Sequence, residues 1–414
     1  MKKALSFAVA LGLVAGAVSM VSAADLSITG DARWRGSYQK NNFVFPAGVT
    51  SLKGYEDYAV KEIAAGRTPA DIKAGSNNEN NTEQQMDQRY RMNMGVKVND
   101  DVSVNTRLVF GDQLFGGALG DSATANPLKL NADRANMVIN TLGGTWTIGR
   151  QEAAWGNAAL PYAVKDVSVD RVKGIYKAGD MTFGAYLQQD VEGQYDNGDG
   201  DKTTWGALVV GKAGDAGYGL LLNYTTSDNN SAKASGKDTG YLVDPYFNAK
   251  IGPATVLGEL LYQGGDLNKD NADNNKVGGF VAAVVDLAPV TVTGVAAYAK
   301  NGSTADSHFA PTMLIGSTNE TSKYNFGALS DDSAYLVGAV VGFKASDKLS
   351  LGATLGYVKA SKENKMSVTE VDVTAEYELA KNAKYKFGVA YGKPKNIGDD
   401  DNIIVVGNAV EVAW

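Results

Sequence analysis

The sequence predicts an all-β fold, a closed transmembrane antiparallel up-and-down β-barrel. Three observations carry this: alternation of period two along nearly the whole chain, a secretory leader, and a terminal aromatic residue, Trp414. In the first segment Leu26, Ile28, Gly30, Ala32, Trp34, Gly36 and Tyr38 share one face. Asp25, Ser27, Thr29, Asp31, Arg33, Arg35, Ser37 and Gln39 share the other. Strand side chains point alternately to opposite faces, so this segment is apolar on one side and strongly polar on the other. The pattern recurs about eighteen times, and a sheet closed in a membrane satisfies both faces at once, with lipid outside and water inside.

The leader comes first. Lys2 and Lys3 precede an apolar stretch from Ala4 to Met20, and Val21-Ser22-Ala23 supplies small residues for cleavage before Ala24. Residues 1–23 are therefore set apart as a signal peptide, and 24–414 are read as one barrel domain. Beyond the leader no apolar run is long enough for a membrane helix. A mean hydropathy of -0.20 fits a barrel, in which only alternate residues meet lipid. The chain is acidic, with a net charge of -7, so no basic excess exists to neutralise nucleic-acid phosphates. Cys is absent, and disulfides cannot hold an exported fold here. Closure that pairs every strand edge can. One histidine, His308, and no Cys leave no basis for a zinc site or a thiol nucleophile. The acidic runs at 196–201 and 399–401 lack EF-hand spacing, and no phosphate-binding glycine loop is present. No cofactor and no enzymatic activity are expected.

The strands come in pairs. Tight connections lie at Asn99-Asp100-Asp101, Gly143-Gly144, Gly179-Asp180, Ala213-Gly214-Asp215, Gly252-Pro253, Ala288-Pro289, Ser346-Asp347 and Lys381-Asn382, where Gly, Asn, Asp and Pro supply turn geometry. Long polar connections lie near 39–84, 112–131, 152–170, 190–203, 227–240, 265–276, 301–332, 361–365 and 393–401. Short turns at one end and long loops at the other predict periplasmic turns and extracellular loops. The segments near 203–212 and 277–287 are small or apolar on both faces, so sixteen strands is the alternative to eighteen. A soluble sandwich also alternates. Mid-strand Arg, Asp and Glu on the polar faces, and aromatics near strand ends such as Tyr38, Phe110, Trp146, Tyr224, Tyr262, Tyr298, Tyr357 and Tyr391, favour the membrane barrel.

The leader, the paired strands, the terminal aromatic and Gly149-Arg150-Gln151, leading into a segment that ends at Asp170-Arg171, together resemble the general, non-specific porins of Gram-negative outer membranes. The likeness covers the mature chain as architecture and is sharpest from Thr147 to Tyr186. Two features depart from the family: Trp414 stands where Phe is usual, and the segment 152–170 is short for its third loop. The resemblance implies an outer-membrane location among lipid and lipopolysaccharide, and a homotrimer. It also implies insertion by the barrel-assembly machinery through the strand that Trp414 ends, and a third loop folded into the barrel to narrow the pore.

Arginine is distributed unevenly. Apart from Arg67, every arginine falls in the first six strands, at Arg33, Arg35, Arg89, Arg91, Arg107, Arg134, Arg150 and Arg171, and none follows. A lipid-facing Arg at the bilayer midplane costs about 2–4 kcal/mol, so the polar parity of this set points into the lumen. Arg150 breaks parity with Trp146 and Ile148, which leaves its direction open. General porins set a basic wall against an acidic loop. By that resemblance these arginines are the basic wall, and Glu152, Asp166 and Asp170 are the acidic side. The expectation is a channel for passive diffusion of small hydrophilic solutes that favours small anions such as phosphate or sulfate. A saturable anion-selective channel and a structural or adhesive barrel with a plugged lumen are the other readings. Arginines that only neutralise Asp31, Asp87, Asp133 and Glu152 would leave little selectivity.

Overall fold

The computed structural model describes residues 25–40, 82–114, 130–156, 167–191, 201–228, 237–266, 275–300, 333–360, 367–395 and 402–414. The leader, Asp166, His308 and the acidic runs at 196–200 and 399–401 lie outside the described residues. The strands are β1 (Asp25–Lys40), β2 (Thr82–Lys97), β3 (Val102–Leu114), β4 (Leu130–Thr141), β5 (Gly144–Ala153) and β6 (Val167–Ala178). There follow β7 (Met181–Val191), β8 (Lys202–Ala213), β9 (Ala216–Asp228), β10 (Lys237–Ile251), β11 (Ala254–Gly265) and β12 (Lys276–Leu287). The last are β13 (Val290–Lys300), β14 (Ser333–Lys344), β15 (Leu349–Ala360), β16 (Ser367–Ala380), β17 (Ala383–Lys395) and β18 (Ile403–Ala413). Each pairs antiparallel with its sequence neighbour, and β1 pairs with β18, so eighteen strands close into one barrel.

The short connections after β2, β4, β6, β8, β10, β12, β14 and β16 fall at the eight predicted turns. The two ambiguous segments are β8 and β12. Their inner faces lack strong polarity because water does not reach them: Ala282 and Thr204 are buried, and the Tyr186 ring covers Gly206. The outer face is apolar, with Leu260, Val281, Val337, Leu355 and Val373 exposed. Outward aromatics form two girdles. Trp205–Tyr224, Tyr241–Tyr262 and Tyr335–Tyr357 pair near the loop ends. Trp146, Tyr176, Phe183, Tyr218 and Trp414 stand near the turns. Amphipathic rings settle at the two membrane–water interfaces.

At the closing seam β1 runs beside β18 from Asp31↔Ala413 to Lys40↔Ile404. Beyond that register Gly30 and Trp414 exchange both backbone hydrogen bonds, each at 3.0 Å. The Trp414 ring lies flat on Gly30, where a Cβ would also sit 2.5 Å from the Arg91 carbonyl oxygen. Gly30→Val should therefore cost about 1–3 kcal/mol through overpacking. The expected result is a lower urea midpoint for unfolding from lipid vesicles, followed by tryptophan fluorescence.

Candidate functional site

The inner wall of β1 to β6 carries a belt of paired charges. Register sets Asp31 opposite Arg91, Arg33 opposite Arg89 and Arg35 opposite Asp87. Arg35 Nε donates to both Asp87 oxygens at 3.0 and 2.9 Å, while Arg33 Nη2 lies 3.6 Å from Asp87. Arg91 Nε donates to both Asp31 oxygens at 3.0 and 2.9 Å, and Arg89 Nη2 lies 3.7 Å from Asp31. Four guanidiniums thus converge on two carboxylates. Directly opposed like charges destabilise a strand pair, and the diagonal carboxylates hold Arg33 and Arg89 in place.

The belt continues on β3 to β5. Arg107, only 6% exposed, donates through Nε to both Asp133 oxygens at 2.8 and 2.9 Å. A bulge makes this possible. Arg107 pairs with Arg134 while Leu108 pairs with Ala132, so Asp133 is an extra residue in β4. Arg134 Nη1 donates to Glu152 Oε2 at 2.9 Å. Arg171 differs from the rest: its direct hydrogen-bond partner is a carboxamide, with the Asp190 carboxylate lying behind it. Its Nε donates to Gln188 Oε1 at 3.1 Å, and its guanidinium carbon lies 3.9 Å from the centroid of the Tyr186 ring. The Tyr186 hydroxyl in turn donates to Asn223 Oδ1.

Two predicted pore residues are misplaced. Arg150 pairs with Asp170 in the strand register, and both share the outward parity of the exposed Ile148 and Val172. They bind each other at 2.7 Å, with side chains 44% and 54% exposed. The register on both sides of β5 runs through Gly149 without a shift, which sets this pair on the outer face near the loops; parity breaks only after it, where Gln151 and Glu152 both face the lumen. Glu152 also departs from expectation. It stands on β5 beside Arg134, in the basic wall and not opposite it. Asp166 lies outside the described residues.

The chain after β5 crosses to another part of the wall. Trp155 Nε1 donates to the Asp244 carbonyl oxygen of β10 at 3.2 Å, and its ring meets Tyr246 edge-on at 5.2 Å. Gly156 lies so close to the Glu259 carboxylate of β11 that a Cβ would overlap its oxygens. Asp244 is 4% exposed, and its Oδ1 has no hydrogen-bond partner among the described residues. These contacts join β5 to strands five and six places away around the barrel, so residues 154–156 span part of the lumen. Trp155, Asp244 and Glu259 went unassigned at the level of sequence, since only tertiary structure brings them together. Lys173 was also missed, although it shares the inward parity of Arg171 in β6. Among the described residues no cluster of three or more Asp, Glu, His or Cys side chains is placed to hold a metal ion.

No protein-family model matches the chain, and no curated protein matches it. Solved structures do match. OccK8 (OprE) of Pseudomonas aeruginosa aligns over 94% of this chain and 98% of its own, at 10% identity and a TM-score of 0.55. A doubly substituted OccD1 (OprD) aligns over 94% of this chain and 95% of its own, at 8% identity and a TM-score of 0.57. The outer membrane channel DcaP of Acinetobacter baumannii covers 95% of this chain and 98% of its own, at 13% identity and a TM-score of 0.45. The likeness is one of fold: this chain has the closed eighteen-stranded barrel of Gram-negative outer-membrane proteins.

Two substitutions distinguish the belt from the rim. Arg107→Ala strands Asp133 and should cost about 2 kcal/mol in vesicle unfolding. Arg150→Ala breaks only an exposed pair and should cost less than about 1 kcal/mol. Trp155→Ala, which releases the crossing segment from β10, should raise single-channel conductance roughly twofold, because a pore's narrowest section sets its resistance.

Proposed function

We propose that the protein is an outer-membrane porin: a water-filled channel through which small hydrophilic solutes diffuse passively, with a preference for small anions. The observation that carries this reading is the gathering of Arg33, Arg35, Arg89 and Arg91 around Asp31 and Asp87, on a wall facing a lumen that residues 154–156 narrow. A guanidinium stays charged at any physiological pH and offers a planar fork of donors that suits oxyanions. Low-dielectric walls focus the field of such a belt into the water between them, which raises the local concentration of anions. The apolar outer band and its girdles suit contact with lipid, and the Arg150–Asp170 rim suits lipid headgroups and lipopolysaccharide. Assembly as a homotrimer, inserted through the strand ending at Trp414, belongs to the same proposal.

A second reading is a barrel whose lumen is largely filled. It is favoured by the inner parity of β14 to β18 near the loops, where Ala334, Leu336, Val358, Val368, Ala390 and Ile403 are all fully buried.

Planar-bilayer recording under a KCl gradient separates the two. The porin reading expects an ohmic current with a reversal potential on the chloride side. Replacing Arg33 and Arg89 together by Ala should reduce the chloride-to-potassium permeability ratio roughly threefold, as two charges leave the wall. Absence of current would sink the porin reading in favour of the filled barrel.

A further inference from the structure

On the lipid-facing parity of β12 to β18 the described residues include no Asp and no Glu. Lysines do share that parity, and all of them stand at the loop ends of their strands: Lys300, Lys359, Lys393 and Lys395. Lys359 and Lys395 both pair in register with Ser367 of β16, one from each side. They therefore lie two strand spacings apart, about 10 Å. Lys393 is the next residue on the same face of β17, about 7 Å from Lys395, and both are exposed. A long lysine stem reaches the interface from any strand end, so snorkelling accounts for the level of these residues in the membrane. It does not account for their gathering on β15 and β17 without an acid. Elsewhere on the outer rim Arg150 is neutralised by Asp170.

Below the lysines the same outer face is hollow. Ala283, Gly294 and Ala339 are successive partners in one row across β12 to β14, and Ala296 is the next outward residue of β13. A Cβ built on Gly294 meets nothing within 4 Å. Val281, Val337, Leu355 and Tyr357 flank these small residues, and together they line an apolar depression of about 620 Å³. The depression leads to the lysines. Val337, Tyr357 and Thr369 are successive partners in a row that continues to Lys393, and Lys359 is the next outward residue after Tyr357. Ala339 pairs with Leu355, four residues from Lys359 along β15, or about 13 Å. The chains of one leaflet span about 15 Å, half of the hydrocarbon core. The depression therefore lies at acyl-chain depth beneath the cationic cluster.

We propose that the outer face of β12 to β17 is a binding site for one phosphorylated lipid of the loop-side leaflet. Lys359, Lys393 and Lys395 hold its phosphate headgroup, and one acyl chain lies in the depression. Ammonium groups form strong charge-assisted bonds to phosphate oxygens, and flexible four-carbon stems let three of them close on one headgroup. Bulk lipid is as apolar as the depression, so no hydrophobic gain separates bound lipid from free. Headgroup charge therefore selects the lipid, and contact with the small residues fixes one of its chains. A second copy of this chain is the weaker candidate for the same face, because its own β12 to β18 offer no acid to meet the lysines. The inference rests on the barrel's place in the outer membrane and does not depend on conduction.

The test is native mass spectrometry of the full-length protein folded in detergent. The probe is dimyristoyl phosphatidate, and its control is dimyristoyl phosphatidylcholine, which has the same chains and no net charge. The wild type should retain one phosphatidate per chain at concentrations where phosphatidylcholine leaves none. Lys393→Gln should weaken phosphatidate binding about fivefold, and replacement of Lys359, Lys393 and Lys395 together by Gln about a hundredfold. Gly294→Leu, whose side chain enters the depression, should weaken it about threefold with every lysine present. Ala339→Leu takes its place if that variant does not fold. Arg150→Gln should bind as the wild type does. Equal retention of the two lipids, or a triple variant that binds like the wild type, would overturn the site. So would unchanged affinity in Gly294→Leu, which leaves a charged rim without a chain contact, and so would displacement of phosphatidate by inorganic phosphate. A change in the number of copies per assembly in Gly294→Leu, with lipid binding intact, would overturn it in favour of a contact between copies.

Discussion

Backbone hydrogen bonding in a medium without water is the constraint on which the rest of this structure depends. An unpaired strand edge in lipid leaves a row of N–H and C=O groups unsatisfied, at several kcal/mol each. The chain meets this by joining its first strand to its last, and Gly30 and Trp414 make the final pair of bonds. Closure then fixes everything else. It forces one parity of every strand toward lipid and the other toward the lumen, so the barrel interior receives whatever the polar faces carry.

What they carry must itself be satisfied. An arginine in a confined lumen is hydrated less freely than one in bulk water, and the wall supplies carboxylates one diagonal step away on the neighbouring strand. Asp31 and Asp87 each serve two arginines, and the bulge in β4 supplies Asp133 to the most buried one, Arg107. The belt is therefore a stabilising network in which each carboxylate is shared across neighbouring strands. Next to it the wall turns neutral, with Asn105 donating to Asn136 and a glycine as cross-strand partner of each.

The two halves of the barrel wall differ. From β1 to β7 the inner face is largely polar, and its side-chain network runs on through Arg171 and Tyr186 to Asn223 on β9. From β11 to β18 the inner face near the loops is largely apolar or small and buried, as at Leu257, Ala282, Leu336 and Val358, with Glu370 and Asp372 buried among them, and nearer the turns it carries the ion pairs Lys384–Glu376 and Lys386–Glu411. The segment that leaves β5 bridges the halves, held by the Trp155 indole on β10.

Parity was legible from the residues alone, because alternation is a local property and a lipid-facing charge is expensive. That reasoning located the eight short turns, and it gave the expectation that Arg33, Arg35, Arg89, Arg91, Arg107 and Arg134 point to the lumen. It left Arg150 open and misjudged Asp170, since whether a strand keeps its parity up to the rim depends on how Gly149 is accommodated between β4 and β6. The scan for arginine passed over Lys173, whose parity alone would have placed it inward. Trp155 against Asp244 and Glu259, the Asp133 bulge and the bond between Asn105 and Asn136 were beyond reach. Each is set by register between strands or by a contact around the barrel, and neither leaves a periodic trace in the chain. The sequence by itself determined which side of each strand meets water; tertiary structure decided which of those side chains meet one another.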